Sequence, residues 1–144
     1  DHSAQMLVQA AQRNARSMTD GVTSLTLGNV DRLPPYGAVF DKVLSANVIQ
    51  FLPDKLAVFR EVFNVMRAGG RVATTYQPRS AHRNRSAALK MADAITCAMQ
   101  AAGFVAICTH ELDLKPVPAI CVIGMKAPEA EVTATPTVKG THHE

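Results

Sequence analysis

Few side chains here could do chemistry, and most of those that could stand where an apolar run stops. In "FDKVLSANVIQFLPD", Phe40 to Asp54, Asn47 and Gln50 follow a stretch that reads as a buried strand. Amides placed there offer donors and acceptors to a ligand or to a neighbouring loop. Asn29 takes the same place after "GVTSLTL", and Tyr76 and Gln77 take it after "RVATT". The loop "YQPRSAHRNR" adds His82 and, in Arg79, Arg83 and Arg85, a positive group that suits an anionic ligand and equally describes a solvated lead into a helix. Cys97, Cys108 and Cys121 are odd in number and widely spaced, which gives neither a disulfide framework nor a Cys-x-x-Cys metal knuckle. Reduced thiols are expected. His142 and His143 are adjacent in a polar tail with no third ligand nearby, so no metal site is expected.

The elements that would carry these residues follow from periodicity. Apolar spacing predicts a helix over Ser3–Met18 with Met6, Leu7, Ala10 and Ala11 on one face, and a β-rich run predicts a strand over Val22–Leu27. "DRLPPYG" must be a loop. A second strand spans Phe40–Val48, and from Asp54 the positions Leu56, Phe59, Val62, Phe63 and Met66 fall at helical spacing until Gly69 and Gly70 stop the helix. "RVATT" is a strand, Ser86–Ala102 a helix closed by Gly103, and Phe104–His110 and Ile120–Lys126 two antiparallel strands joined through "ELDLKPVPA". From Ala127 the Pro, Thr, Ala and Glu composition predicts a disordered tail, 127–144, behind a domain of residues 1–126. The fold class is α/β: a Rossmann-like sheet, mostly parallel with a C-terminal antiparallel strand pair and helices on both faces. Ligands of such sheets sit at the carboxyl ends of the strands, which is where the polar residues lie.

Composition narrows the partners. Of 144 residues 47% are apolar and 19% charged, enough for one buried core, and the net charge of +3 is scattered. With two tyrosines, five phenylalanines and no tryptophan, stacking platforms for bases are not expected, and neither is nucleic-acid binding. No run reaches the roughly 18 apolar residues of a membrane span, and no secretory signal opens the chain. A cytoplasmic protein without membrane partners is the expectation; the oligomeric state is left open.

"DHSAQML", "GNVDRLP", "FDKVLSANVIQFLP" and "FREVFNVMRAGGRV", in this order and spacing, resemble the class I S-adenosylmethionine-dependent methyltransferases. The resemblance covers about Asp1 to Lys126; each piece is weak alone and their combination is specific. In that family an acidic residue ends the second strand and opens a D-x-S-x-x-M-L helix. A G-D-A-x-x-L-P segment follows the third strand, and an L-x-P-G-G turn precedes the fifth. The resemblance assigns Asp1 to a ribose diol, whose two hydroxyls a carboxylate can accept, and His2 to the flank of the adenine. Asn29 stands where the family usually has aspartate accepting from the adenine amino group; asparagine keeps the carbonyl and loses the charge. Val30 would offer its backbone N–H to the ring, and Asn47 would lie near the methionine portion. Tyr76, Gln77, Arg79 and His82 fall on the loop where the family contacts the methyl acceptor, Tyr76 and Arg79 being the foremost candidates. "RAGG" carries Ala68 in place of the family's proline.

What the resemblance implies is methyl transfer from S-adenosylmethionine to a small-molecule acceptor. Such a reaction is an in-line displacement in which alignment supplies much of the catalysis, so no catalytic base is assigned. Nothing like the family's glycine-rich loop precedes Asp1, and the reading is of a domain truncated at its N-terminus. In the family's strand order 3-2-1-4-5-7-6, this leaves Val22–Leu27 without its neighbour and the edge of Phe40–Val48 open. A non-catalytic, partner-binding domain of the same fold is therefore the second reading. A nicotinamide-binding domain is the third, disfavoured because "GNVDRLP" and "MRAGGRV" have no role in it.

Overall fold

The computed structural model describes residues 3–79 and 84–129. The chain runs α1 (Ala4–Arg13), α2 (Ala15–Thr19), β1 (Phe40–Ala46), a single 3₁₀ turn (Ile49–Phe51), α3 (Lys55–Val65), β2 (Met66–Tyr76), α4 (Arg85–Ala102), β3 (Val105–Leu112) and β4 (Ala119–Met125). Ser3 caps α1 by accepting from the Met6 N–H at 3.3 Å. The expected helix to Met18 is broken at Asn14, whose Nδ2 donates to the Ala10 carbonyl at 2.8 Å and competes with the helical ladder. No residue of α1 or α2 is buried, so these helices do not build the expected second helical layer.

The four strands stand in the order β1-β2-β4-β3. β1 and β2 are parallel, and β4 runs antiparallel to both β2 and β3. Three strands thus share one direction and β4 alone is reversed, as expected for a mostly parallel sheet with an antiparallel pair. Val22–Leu27 is a correction: it joins no ladder, Val22 lying in a bend and the residues after it in no regular element. Val22 and Leu27 are 79% and 53% exposed. A β-rich run becomes a strand only when a neighbour takes its backbone groups, and none of the described strands pairs with it. β1 pairs with β2 only, and Leu44 on its uncovered face is 74% exposed.

The core lies between the sheet and the side-by-side helices α3 and α4. Asp54 caps α3 and Asn84 caps α4, each accepting from an N–H three residues on. Val58, Phe59 and Val62 of α3 meet Ala88, Ala92, Ile95 and Met99 of α4 over Val72, Ile120 and Val122 of the sheet. Each large side chain buried in this way contributes roughly 1.5–3 kcal/mol. Phe104 stands edge-on to Phe59 and Phe63 at 6.3 and 5.1 Å. α4 ends as expected at Gly103, in the left-handed region.

α3 ends earlier than its glycines suggest. Val65 is the last helical residue, Met66 is already extended, and Gly69 and Gly70 belong to β2. The register explains their presence: Phe40 faces Met66 but Lys42 faces Arg71, so the chain bulges between these partners. Gly69 has φ +78, and a Cβ on Gly70 would stand 2.8 Å from the Arg67 carbonyl oxygen. Lys126 then takes over the stopping role, its Nζ donating to the carbonyls of Phe63 and Met66 at 2.9 Å each and lying 4.5 Å above the Phe63 ring. No helix among the described residues is long and apolar enough to cross a membrane.

Candidate functional site

At the carboxyl end of β1 the backbone leaves the sheet through Asn47, whose φ is +54. Asparagine is among the few non-glycine residues that tolerate this region. The turn aims three groups of Asn47 at neighbours. Its N–H donates to the Thr75 carbonyl at 3.0 Å, its Oδ1 accepts from the Gln77 N–H at 2.9 Å, and its carbonyl accepts from Gln50 Nε2 at 2.8 Å. Asn47 thus locks the ends of β1 and β2 together. Gln50 Oε1 is buried with no hydrogen-bond partner among the described residues.

Beside this strand end opens a cavity of about 780 Å³, within the size range of small-molecule sites. One wall is the segment after β1, with Val48, Phe51, Leu52 and Pro53; the other is the loop that carries Asn29, Val30 and Tyr36. Three contacts hold that loop. The Leu33 N–H donates to Glu61 Oε2 of α3 at 3.1 Å, the Tyr36 hydroxyl donates to Thr26 at 2.8 Å, and the Tyr36 ring stands edge-on to Phe40 at 5.4 Å. The lining is mostly apolar, and Phe51 is 76% exposed at its edge.

The structure therefore brings Asn29 and Val30 together with the segment that follows Asn47. Asn47 itself does not line the cavity, and its Oδ1 accepts from the Gln77 N–H. Tyr76 packs at the rim of the core opposite Ile120, and Arg79 is exposed; neither lines the cavity. Asp1, His2, His82, Arg83 and the tail from residue 130 lie outside the described residues. Phe51, Tyr36 and Glu61 were not legible as site residues, because apolar wall positions and a helix-surface carboxylate look like core and solvent in a sequence. On the far side of the strand ends, Arg85 of α4 meets Glu111 of β3 at 2.8 Å, and its hydrogen bond holds the Glu111 carboxyl below the usual carboxylate range. Burial, helped by Cys108, pushes the Cys121 thiol up. No group of three metal-ligating side chains occurs among the described residues.

A sheet in which only β4 is reversed, with a cavity beside the carboxyl end of β1, matches the architecture of the class I methyltransferases. The comparisons with known proteins agree. A family profile described as "Methyltransferase domain" matches residues 1–74, about half of the chain, and the chain belongs to this family of S-adenosylmethionine-dependent enzymes. It is similar to an uncharacterized methyltransferase, YdaC, of Bacillus subtilis (strain 168), 28% identical over 126 residues, covering 88% of this chain and 67% of that protein. Among solved structures, an S-adenosylmethionine-dependent methyltransferase from Aquifex aeolicus superposes with a TM-score of 0.69 at 12% identity, covering 88% of this chain and 66% of that one. The phosphoethanolamine N-methyltransferase 2 of Haemonchus contortus, in complex with S-adenosyl-L-methionine, gives 0.67 at 14% identity, over 88% of this chain and 42% of that one. The chain thus spans about two thirds of the first two proteins and less than half of the third.

Proposed function

We propose that this domain binds S-adenosylmethionine in the cavity between Asn29–Tyr36 and Val48–Pro53 and serves methyl transfer to a small-molecule acceptor. The observation that carries this reading is the meeting of Asn29 and Val30 with an apolar wall at the carboxyl end of a parallel strand. The residues fit the cofactor. Asn29 supplies a carbonyl acceptor for the adenine amino group, the Val30 backbone a donor for the ring, and Val48, Phe51 and Leu52 a surface for its faces. Asp1 would take the ribose and His2 the adenine flank. When bound, the cofactor supplies an electrophilic methyl group on a sulfonium. The chain's own part is to orient and to exclude water, and Asn47 keeps the strand ends fixed while this happens. Tyr76 and Arg79 remain candidates for acceptor contacts, and no general base is assigned.

The test is calorimetric titration of the chain with S-adenosylmethionine and S-adenosylhomocysteine. Asn29→Ala should weaken binding by roughly twofold to tenfold, the range of one net hydrogen bond, while Asn29→Asp should restore it. Absence of binding by the unmodified chain, or indifference to Asn29→Ala, would overturn the reading. A tritiated-methyl assay over small amines, thiols, phenols and carboxylates then seeks the acceptor. The open edge of β1 favours one second reading, a methyltransferase-like domain that binds a partner strand without catalysis; cofactor binding separates the two.

A further inference from the structure

Among the described residues, the side chain of Gln77 hydrogen-bonds the connection between β3 and β4, residues 113–118, to the end of β2. Gln77 Nε2 donates to the Val117 carbonyl at 2.9 Å and to the Lys115 carbonyl at 3.3 Å. The same residue's backbone N–H is the group held by Asn47 Oδ1. A primary amide has two N–H donors on its nitrogen, so both are committed here and neither is left for a ligand. The donors of Gln77 therefore serve to position the connection between β3 and β4. A relay of hydrogen bonds runs from Gln50, next to Phe51 in the cavity wall, through Asn47 and Gln77 to Val117.

Strand order supplies the second half of the argument. The cavity lies beside β1, at one end of the sheet, while residues 113–118 rise between β4 and β3 at the other, with Gln77 leaving β2 between them. A methyl group carried at the strand ends would face the gap between these two walls. We infer that residues 113–118 form the acceptor-side wall of the site and that Gln77 is the positioning residue that holds this wall in register with the cofactor side. The inference rests on the methyl-transfer reading above.

Hydrogen–deuterium exchange of the full chain over residues 113–118, corrected for intrinsic rates, tests it alongside S-adenosylhomocysteine titration of the same samples. Near neutral pH, Gln77→Ala and Gln77→Glu should each speed exchange by about tenfold, as loss of a hydrogen bond implies, and leave cofactor affinity within about twofold. At about pH 3.5, below the ordinary glutamate pKa of roughly 4.3, protection should return in Gln77→Glu alone, because a protonated carboxyl can donate to the Val117 carbonyl and an alanine cannot. With any acceptor found in the tritiated-methyl assay, Gln77→Ala should raise the acceptor KM by about fivefold or more and leave the S-adenosylmethionine KM in place. Unchanged exchange, or cofactor affinity lost in parallel with protection, would overturn the positioning role. Failure of the unmodified chain to bind S-adenosylhomocysteine would remove the methyl-transfer reading and the acceptor wall with it, and is told apart by exchange that still responds to Gln77→Ala.

Discussion

Asn47 joins two demands that are seldom met by one residue, a backbone in the left-handed region and a side-chain acceptor for the Gln77 N–H. The two can be separated by substitution. Asn47→Gly keeps the conformation and loses the acceptor, leaving a part-buried donor unpaired; it should cost about 1 kcal/mol in urea denaturation. Asn47→Asp keeps the acceptor and should stay within about 0.5 kcal/mol of the parent. Equal losses in both would mean that the turn, and not the hydrogen bond, sets the stability of this strand end. Read from the sequence, Asn47 stands at a strand end near the methionine portion of a cofactor, with a loop amide as the simpler partner for its side chain; the structure gives its Oδ1 the Gln77 N–H. The partner could not be read in advance, since it comes from a segment 30 residues away.

Among the elements, β2 teaches most. Its glycines read as helix stops because a Gly-Gly pair after an apolar-periodic run ordinarily ends a helix. Here the helix has already ended, and the pair makes a bulge against β1 where the backbone passes too close for a side chain. Gly70→Ala should therefore destabilise by roughly 1–3 kcal/mol, the cost of overpacking against backbone, whereas a mere helix stop would tolerate alanine or gain from it. Thermal unfolding measures the difference. The helices α3 and α4 and the antiparallel pair were legible because their apolar periods are long and their caps sit where propensity puts them. Val22–Leu27 was not, because strand propensity gives a preference and pairing gives the strand.

For the molecule as a whole, the open edge of β1 is the feature most exposed to solution conditions. Its backbone groups on one side meet no described strand, and Leu44 stands in the open beside them. Leu44→Lys should lower concentration-dependent association in sedimentation velocity while changing stability by no more than about 0.5 kcal/mol. A larger loss of stability would show that this face is covered in solution. The order β1-β2-β4-β3 has a further bearing, on the timing of synthesis. β4 is the last strand in sequence yet sits inside the sheet, and Lys126, just past its end, supplies the bonds that close α3 some 60 residues earlier. On the ribosome, β2 and β3 must wait with unpaired edges until β4 emerges, and α3 waits with its last carbonyls bare. The described sheet therefore has its pairing complete only once β4 has been made, since β2 and β3 both take it as their neighbour.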